Sequence, residues 1–157
     1  MNSIVTSGFE VLHGTEAIRG QLMDILTDDD LAYRLPGDNP TLGALCREIG
    51  QVERSYIDSF KTFTQSWAYG PVDPALERSV AALRTWYQAL DQELDGVLSA
   101  LSEDDIQHKM IDRGFPMPLG AQMHTYREAL LIFYGKAVCY LHALERALPQ
   151  QMREWVG

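Results

Sequence analysis

The sequence predicts an all-α fold, a four-helix bundle that forms a single domain over residues 1–157. A chain of 157 residues with 46% hydrophobic content can bury one good core and is too short for two ordinary domains. Apolar residues recur at alternating steps of three and four, the period of an amphipathic helix. Four such stripes cannot be buried alone, so they must pack against one another. The pattern gives almost no support for strands.

The clearest stripe predicts a helix over residues 74–101. Its apolar positions are Leu76, Val80, Leu83, Tyr87, Leu90, Leu94, Val97 and Leu101. Asp73 before Pro74 fits an N-cap followed by a first-turn proline, because the N–H that proline lacks would have had no helical partner. The stripe therefore predicts one unbroken helix that begins at Pro74.

Three further stripes predict the other helices. The first, with apolar positions at Val11, Ile18, Leu22 and Ile25, contains Gly14 and Gly20, each of which weakens a helix by about 1 kcal/mol relative to Ala. The second follows Asn39 and Pro40, a plausible cap and first residue. The predicted bounds of these helices are residues 8–26, 40–65 and 119–147.

Two short segments carry the pattern of a capped helical turn. Thr27 stands three residues before Asp30, and Ser102 stands three residues before Asp105. A hydroxyl and an acid at this spacing satisfy each other's backbone N–H groups in a capping box. Each segment is therefore expected to open a helical turn inside a connection.

Two other connections have no helical pattern. Residues 109–118 contain Gly114, Pro116 and Pro118, which predict an irregular or extended arm. The connection at residues 67–73 has two interpretations, a tight turn or a crossover. About eleven extended residues span at most about 35 Å, the length of a helix of about 24 residues, so both are physically possible.

Charge and composition exclude some partners. The net charge of -9 and the pI near 4.8 argue against binding to nucleic-acid backbones, where affinity comes from Lys and Arg. No stretch approaches the roughly 18 apolar residues that a membrane-spanning helix needs. Residues 1–9 contain no Lys or Arg and no long apolar run, so no secretory signal is visible. The expectation is a cytoplasmic protein that has neither nucleic acid nor membrane as a partner.

Isolated histidines and cysteines give little sign of catalysis. Cys46 and Cys139 are too far apart for a zinc motif and are interpreted as two free thiols. His13, His108 and His142 have no acid or cysteine at ligand spacing and are interpreted as ordinary residues. No Ser-His-Asp order, phosphate loop or dinucleotide fingerprint is present.

Two segments resemble a known family. The first runs from Thr41 to Arg54, after an LxxLP-like stretch that ends at Pro36. The second runs from Tyr126 to His142, where a glycine follows two aromatic residues and precedes a Tyr-Leu pair. They resemble the second and last helices of the DinB family, damage-inducible four-helix bundles related to YfiT and to bacillithiol and mycothiol transferases.

The resemblance implies an up-down-down-up bundle, often a dimer, with a divalent metal held by three histidines. Carried over by position, those three ligands fall on Glu48, Ala129 and Phe133, and none of them is histidine. Glu48 offers an oxygen, but Ala129 and Phe133 offer no donor. The sequence therefore predicts no metal site and no cofactor. The alternative is a divalent metal such as zinc or nickel, bound by unusual ligands.

His124 and Glu128 are four residues apart and would make a mixed ligand set with Glu48. They lie about 120 to 160 degrees from the core-facing centre of the last helix, if each residue advances about 100 degrees. We interpret them as residues that face solvent or flank the apolar stripe.

Aromatic residues surround the family's metal positions. Tyr126, Phe133 and Tyr140 share a face with Ala129, which indicates either simple core packing or a pocket for a small apolar ligand. Such a pocket would be rimmed by polar groups. The full set of candidate ligand-pocket residues is Glu48, Gln122, Tyr126, Ala129, Phe133 and Tyr140.

Trp67, Tyr69 and Trp86 lie outside the apolar stripes and are expected to be exposed, where they would suit the contact of a homodimer. The preferred function is a non-catalytic or small-ligand-binding DinB-like protein with a degenerate metal site. The alternative is a metal-dependent thiol transferase or hydrolase of the DinB type.

Overall fold

Four long helices make up most of the chain in the computed structural model, which describes residues 1–157. They are α1 (Ser3–Ile25), α3 (Leu42–Thr62), α4 (Val80–Ala100) and α6 (Leu119–Ala143). The short helices are α2 (Asp28–Leu31), α5 (Glu103–His108) and α7 (Gln150–Trp155), with a 3-10 turn at Pro74–Glu77. The predicted all-α fold is confirmed.

The start of α3 differs from the prediction. Thr41 is the N-cap, and its hydroxyl accepts a hydrogen bond from the Ala44 N–H at 3.1 Å. Asn39 instead donates its side-chain amide to the Pro36 carbonyl at 2.7 Å. The predicted cap at Asn39 was wrong because the hydroxyl nearer the helix satisfies the free N–H groups of the first turn.

The predicted unbroken helix from Pro74 was also wrong. Asp73 caps only the 3-10 turn, and a new helix, α4, begins after Ser79. The Ser79 hydroxyl accepts from the Ala82 N–H at 3.3 Å, and Asp28 accepts from the Val80 N–H at 2.8 Å. These two acceptors satisfy N–H groups that a continuous helix would have paired internally, so the backbone breaks there.

Both predicted capped turns are confirmed. Thr27 with Asp30 and Ser102 with Asp105 each form a complete capping box at the start of α2 and α5. The extended arm is confirmed as well, but it contains a feature that the sequence analysis did not predict. Two short antiparallel strands, β1 (Met110–Asp112) and β2 (Pro116–Pro118), form a hairpin there.

The directions of the helices follow from their contacts. α1 and α4 are antiparallel, because the Asn2 amide donates to the Leu98 carbonyl at 2.8 Å while Arg84 pairs with Asp24 at 2.7 Å. α3 and α4 run in the same direction. Tyr87 donates to the Cys46 carbonyl near the start of both helices, at 2.6 Å.

Two helices that run in the same direction cannot be joined by a tight turn. Residues 63–73 therefore form a crossover, the second of the two interpretations given for this connection. This segment lies along α3. Gln65 donates to the Ser55 hydroxyl at 3.0 Å, and Gln51 donates to the Gly70 carbonyl at 3.2 Å. The chain thereby returns to the beginning of α3 before α4 starts.

The core confirms most of the predicted stripe on α4 and corrects single positions on three helices. Leu83, Leu90 and Leu94 of α4 are fully buried, with Tyr87 nearly so, but the predicted Val97 is only partly buried and Leu98 is buried in its place. On α1 the predicted stripe residue Val11 is 45% exposed, and Leu12 is buried in its place. On α3 the predicted Val52 is only partly buried, whereas Glu53 is completely buried. None of the helices combines the length and apolar character needed to cross a bilayer.

Candidate functional site

The family's metal positions meet at a cleft between α3 and α6. Glu48, Ala129 and Phe133 line this cleft, which has a volume of about 150 Å³. Phe133 is almost fully buried, Glu48 is exposed, and the remaining wall is mostly apolar. One carboxylate beside a methyl group and a phenyl ring does not match the three imidazole nitrogens of the implied metal. The residues present do not fit that metal.

The other predicted pocket residues do not line this cleft. Gln122 is fully buried, and its side-chain amide donates to the Ser59 hydroxyl at 2.9 Å and to the side-chain oxygen Oε1 of Gln65 at 2.6 Å. Tyr140 lies near the beginning of α3, where its hydroxyl donates to the Pro40 carbonyl at 2.6 Å. Their polar atoms are therefore used within the fold.

Tyr126, the last predicted pocket residue, leads to a different region. Its side chain is fully buried and its hydroxyl has no hydrogen-bond partner. It lies near Glu53 without meeting hydrogen-bond geometry. Burial raises the pKa of the Glu53 carboxyl group, and the Tyr126 hydroxyl only partly opposes that rise. Glu53 belongs to a group of charged residues inside the bundle.

This group, the ionic cluster, consists of Glu16, Arg19, Glu53 and Asp91. The guanidinium of Arg19, only 1% exposed, contacts Glu53 and Asp91, each at 2.5 Å. Its Cζ lies 4.1 Å from the centroid of the Tyr87 ring. Arg19 therefore has an aromatic face and two carboxylates as partners.

Three helices supply the ionic cluster. Glu16 and Arg19 are three residues apart on α1, so they share one face of that helix. Glu53 comes from α3 and Asp91 from α4. Asp91 is 31% exposed at its side chain, whereas Glu53 is 0% exposed, so the cluster is open to solvent on the Asp91 side.

The ionic cluster contains three carboxyl groups and one guanidinium. Burial raises the pKa of Glu16 to about 9, and the charges of Asp91 and Glu53 add to this effect. Burial also raises the pKa of Glu53 to about 7, against the lowering effect of Arg19. Glu16 therefore holds a proton at neutral pH, and Glu53 and Asp91, which both contact Arg19, are the carboxyl groups that balance its charge.

A groove of about 320 Å³ lies between α1 and α4 and reaches the ionic cluster. Glu16, Arg19 and Asp91 line it together with Tyr87. At its edge His13 contacts Asp95 at 2.8 Å. The remaining lining residues are Ala17, Gly20, Met23, Arg84 and Gln88.

Oxygen atoms of Glu16, Glu53 and Asp91 lie within 4.8 Å of one another, a spacing that admits a metal ion. Arg19 works against this use of the site. Its nitrogens already engage one oxygen of Glu53 and one of Asp91 at 2.5 Å, and its positive charge repels a second cation. The carboxylates are therefore better placed to bind a guanidinium group than a metal ion.

The fold and this site define an all-α bundle with a buried ionic cluster beneath a polar groove. The family model of the DinB superfamily matches residues 15–133, and the chain belongs to that superfamily. This match confirms the predicted family membership. No curated protein matches the chain.

Sequence reasoning missed the ionic cluster. Glu53 follows Ile49 by four residues and precedes Tyr56 by three, so it fits the helical period as well as Val52 does. Arg19 likewise lies seven residues after Leu12. The sequence does place charged residues at core spacing on two helices. In each case the apolar neighbour was assigned to the core instead.

Proposed function

We propose that this DinB-superfamily protein binds a small organic molecule in the groove between α1 and α4, without a three-histidine metal. The observation that carries the proposal is the carboxyl group of Glu16 at the groove. Its Oε1 atom is buried and has no hydrogen-bond partner. A buried polar atom without a partner costs about 1–3 kcal/mol and is rare in native proteins. A ligand that donates a hydrogen bond would supply the missing partner.

Size favours the groove over the cleft between α3 and α6. Small-molecule sites usually enclose about 300–1,000 Å³. The groove has about 320 Å³, and the cleft about 150 Å³. The small apolar ligand expected from the sequence would therefore have little room beside Phe133. A pocket of about 520 Å³ beside Trp86 is larger than the groove, so the choice of the groove rests on the unpartnered carboxyl oxygen of Glu16.

A fragment screen observed by ¹H–¹⁵N NMR tests this proposal. Fragments that bind should shift the amides of Ala17, Gly20 and Gln88 in the groove and leave those of Ala129 and Ile132 unchanged. Gly20→Leu places a side chain into open space at the groove and should abolish these shifts. Gly135→Ala, a change on α6 outside the groove, is the matched control. Shifts confined to Ala129 and Ile132 would contradict the proposal.

A metal-dependent thiol transferase or hydrolase with unusual ligands is the second candidate function. The three carboxylates within 4.8 Å favour it, and the position of Arg19 opposes it. Metal analysis of protein purified without a histidine tag separates the two candidates. Near-stoichiometric metal that survives dialysis and is lost in Glu16→Ala would establish the enzyme candidate.

We also propose that the protein acts as a cytoplasmic homodimer. Large apolar side chains are enriched where interfaces bury them. Ile132 is 61% exposed, Trp67 49% and Tyr69 42%, whereas Trp86 packs against Gly50 and is partly buried. Light scattering at high micromolar concentration should give twice the mass of one chain. A mass near 17.7 kDa would contradict the dimer.

A further inference from the structure

The carboxyl groups of the groove outnumber the guanidinium groups that are free to meet them. Arg19 is already paired with Glu53 and Asp91, and Arg84 is paired with Asp24 at 2.7 Å. Asp95, at the edge, has only His13 as a partner. The groove therefore offers a ligand hydrogen-bond acceptors and ionisable carboxyl groups, and no unpaired arginine.

One buried polar atom without a partner provides an observation independent of this charge. Glu16 is only 8% exposed and its Oε1 accepts no hydrogen bond, although the side chain lines the groove. The fold therefore leaves an acceptor at the groove unsatisfied, whereas it satisfies the buried polar atoms of Gln122 and Tyr140.

We propose that the groove selects a monovalent organic cation, with the ammonium group of a compact amine bound between the carboxyl groups of Glu16 and Asp91. Binding there releases to solvent the proton that Glu16 holds in the free protein. This inference rests on the proposed function and names the class of its ligand. An ammonium group carries three N–H donors, so one group can reach both carboxyls and a water molecule. A hydroxyl of the same size carries one donor and no charge.

The surroundings of the two carboxyls also suit an alkyl chain. Tyr87 and Met23 give the groove apolar walls, and a Cβ at Gly20 would meet no atom within 4 Å. Gly20 therefore leaves room beside the carboxyls for a few carbon atoms. A chain of about three carbons attached to the ammonium group matches a groove near the lower limit of ligand sites.

A divalent metal suits the same place less well. Arg19 is held at 2.5 Å from two of the three carboxyls, and a divalent ion there would feel twice the repulsion that a monovalent one feels. Hard divalent cations also require about six oxygen ligands or more, and magnesium requires them in octahedral geometry. The ionic cluster has fewer oxygens free of Arg19 than that.

Titration of the full-length protein by n-propylammonium chloride, followed by ¹H–¹⁵N NMR, tests the inference. The amides of Ala17, Gly20 and Gln88 should shift and saturate. The uncharged 1-propanol should bind at least tenfold more weakly, and magnesium chloride at matched ionic strength should give no saturable shift. Glu16→Gln, which keeps the size of the side chain and prevents it from ionising, should weaken propylammonium at least tenfold. Gly135→Ala should bind as the parent does.

Asp95→Asn is a second variant, at the exposed edge, and should weaken propylammonium severalfold without disturbing the buried ions. Equal affinities for propylammonium and 1-propanol, or unchanged affinity in Glu16→Gln, would overturn the inference. A saturable magnesium shift that propylammonium does not compete with would overturn it in favour of a metal. If fragments bind the groove and propylammonium does not, only this inference fails. If nothing binds the groove, the proposed function fails with it.

Discussion

The two sides of the bundle differ in whether charged side chains are buried beneath their surface clefts. Between α3 and α6, where the superfamily resemblance places imidazoles, Phe133 and its neighbours close the space down to about 150 Å³. Between α1 and α4, Arg19 and three carboxyl groups occupy the core beneath a groove of about 320 Å³. The absence of imidazoles at these positions therefore does not make the interior uniformly apolar. The buried charges lie beneath the groove between α1 and α4.

Stability alone gives no reason for this arrangement. A buried ion pair is often no better than apolar residues of the same volume, because the loss of hydration offsets the attraction. Glu16 does not even pair with Arg19 by a hydrogen bond, and burial raises its pKa to about 9. The ionic cluster is therefore in keeping with the function that we propose for the groove, and the following experiments test the contrast between the two sides.

Removal of the buried guanidinium should have the largest effect. Arg19→Met leaves Glu53 and Asp91 without their counter-charge, and breaking a buried pair from one side costs about 3–5 kcal/mol. Arg84→Met, which removes an exposed pair with Asp24, should cost at most about 1 kcal/mol. Urea unfolding at pH 7 measures both. Equal losses in the free energy of unfolding would show that the buried ion pairs of Arg19 contribute no more to stability than a surface pair does.

The opposite side can be tested by restoring the imidazoles. Glu48→His, Ala129→His and Phe133→His together place two imidazoles four residues apart on α6 and a third across the cleft on α3. We expect this triple variant to bind zinc or nickel and to gain about 2.7 kcal/mol when the ion is present at 100 times its Kd. The parent should carry no stoichiometric metal in mass spectrometry. Thermal unfolding with and without zinc is the measurement, and an equal gain in the parent would refute the contrast.

Local features of the fold were predictable because they depend on neighbouring residues. The capping boxes at Thr27 and Ser102 were confirmed, and so was the stripe of α4 from Leu83 to Leu94. The break before α4 was not predictable, since Ser79 acts as the cap with help from Asp28, which is distant in sequence.

The ionic cluster required information that one sequence does not contain. Val52 and Glu53 both fit the helical period of α3, and the rotation of the helix decides which of them is buried. That rotation depends on how α3 packs against α1 and α4. The usual expectation that an apolar residue is buried before a charged one selects Val52, and here it fails because Arg19 lies opposite.

Neutralising Glu16 should stabilise the protein and reduce its dependence on pH. Its folded pKa is raised from 4.5 to about 9, so its contribution to stability is complete below pH 4.5 and is lost as the pH rises towards 9. The slope reaches at most about 1.4 kcal/mol per pH unit. Glu16→Gln should therefore gain a few kcal/mol at pH 8, at most about 5 kcal/mol from that slope, and flatten the decline between pH 5 and 9.

Urea unfolding at several pH values measures this change. Glu48→Gln, on the exposed side of the cleft between α3 and α6, is the matched control and should keep the slope of the parent. A Glu16→Gln protein with the parental slope would show that Glu16 is ionised in the fold and that the groove is more hydrated than its burial indicates.

The smallest expected effect comes from glycines inside the helices. Gly20 in α1 and Gly135 in α6 have no atom within 4 Å of an added Cβ, and neither has a positive φ angle. Alanine should therefore stabilise each site by about 0.5–1 kcal/mol through helix propensity alone. Gly50→Ala is the opposing control, since its Cβ would lie 2.2 Å from the Trp86 ring and should destabilise the fold. Thermal unfolding with a shared baseline resolves these differences. A loss of stability in Gly20→Ala, with a gain in Gly135→Ala, would mean that the groove is narrower than the open space at Gly20 indicates, and the amine would then have no room beside Glu16.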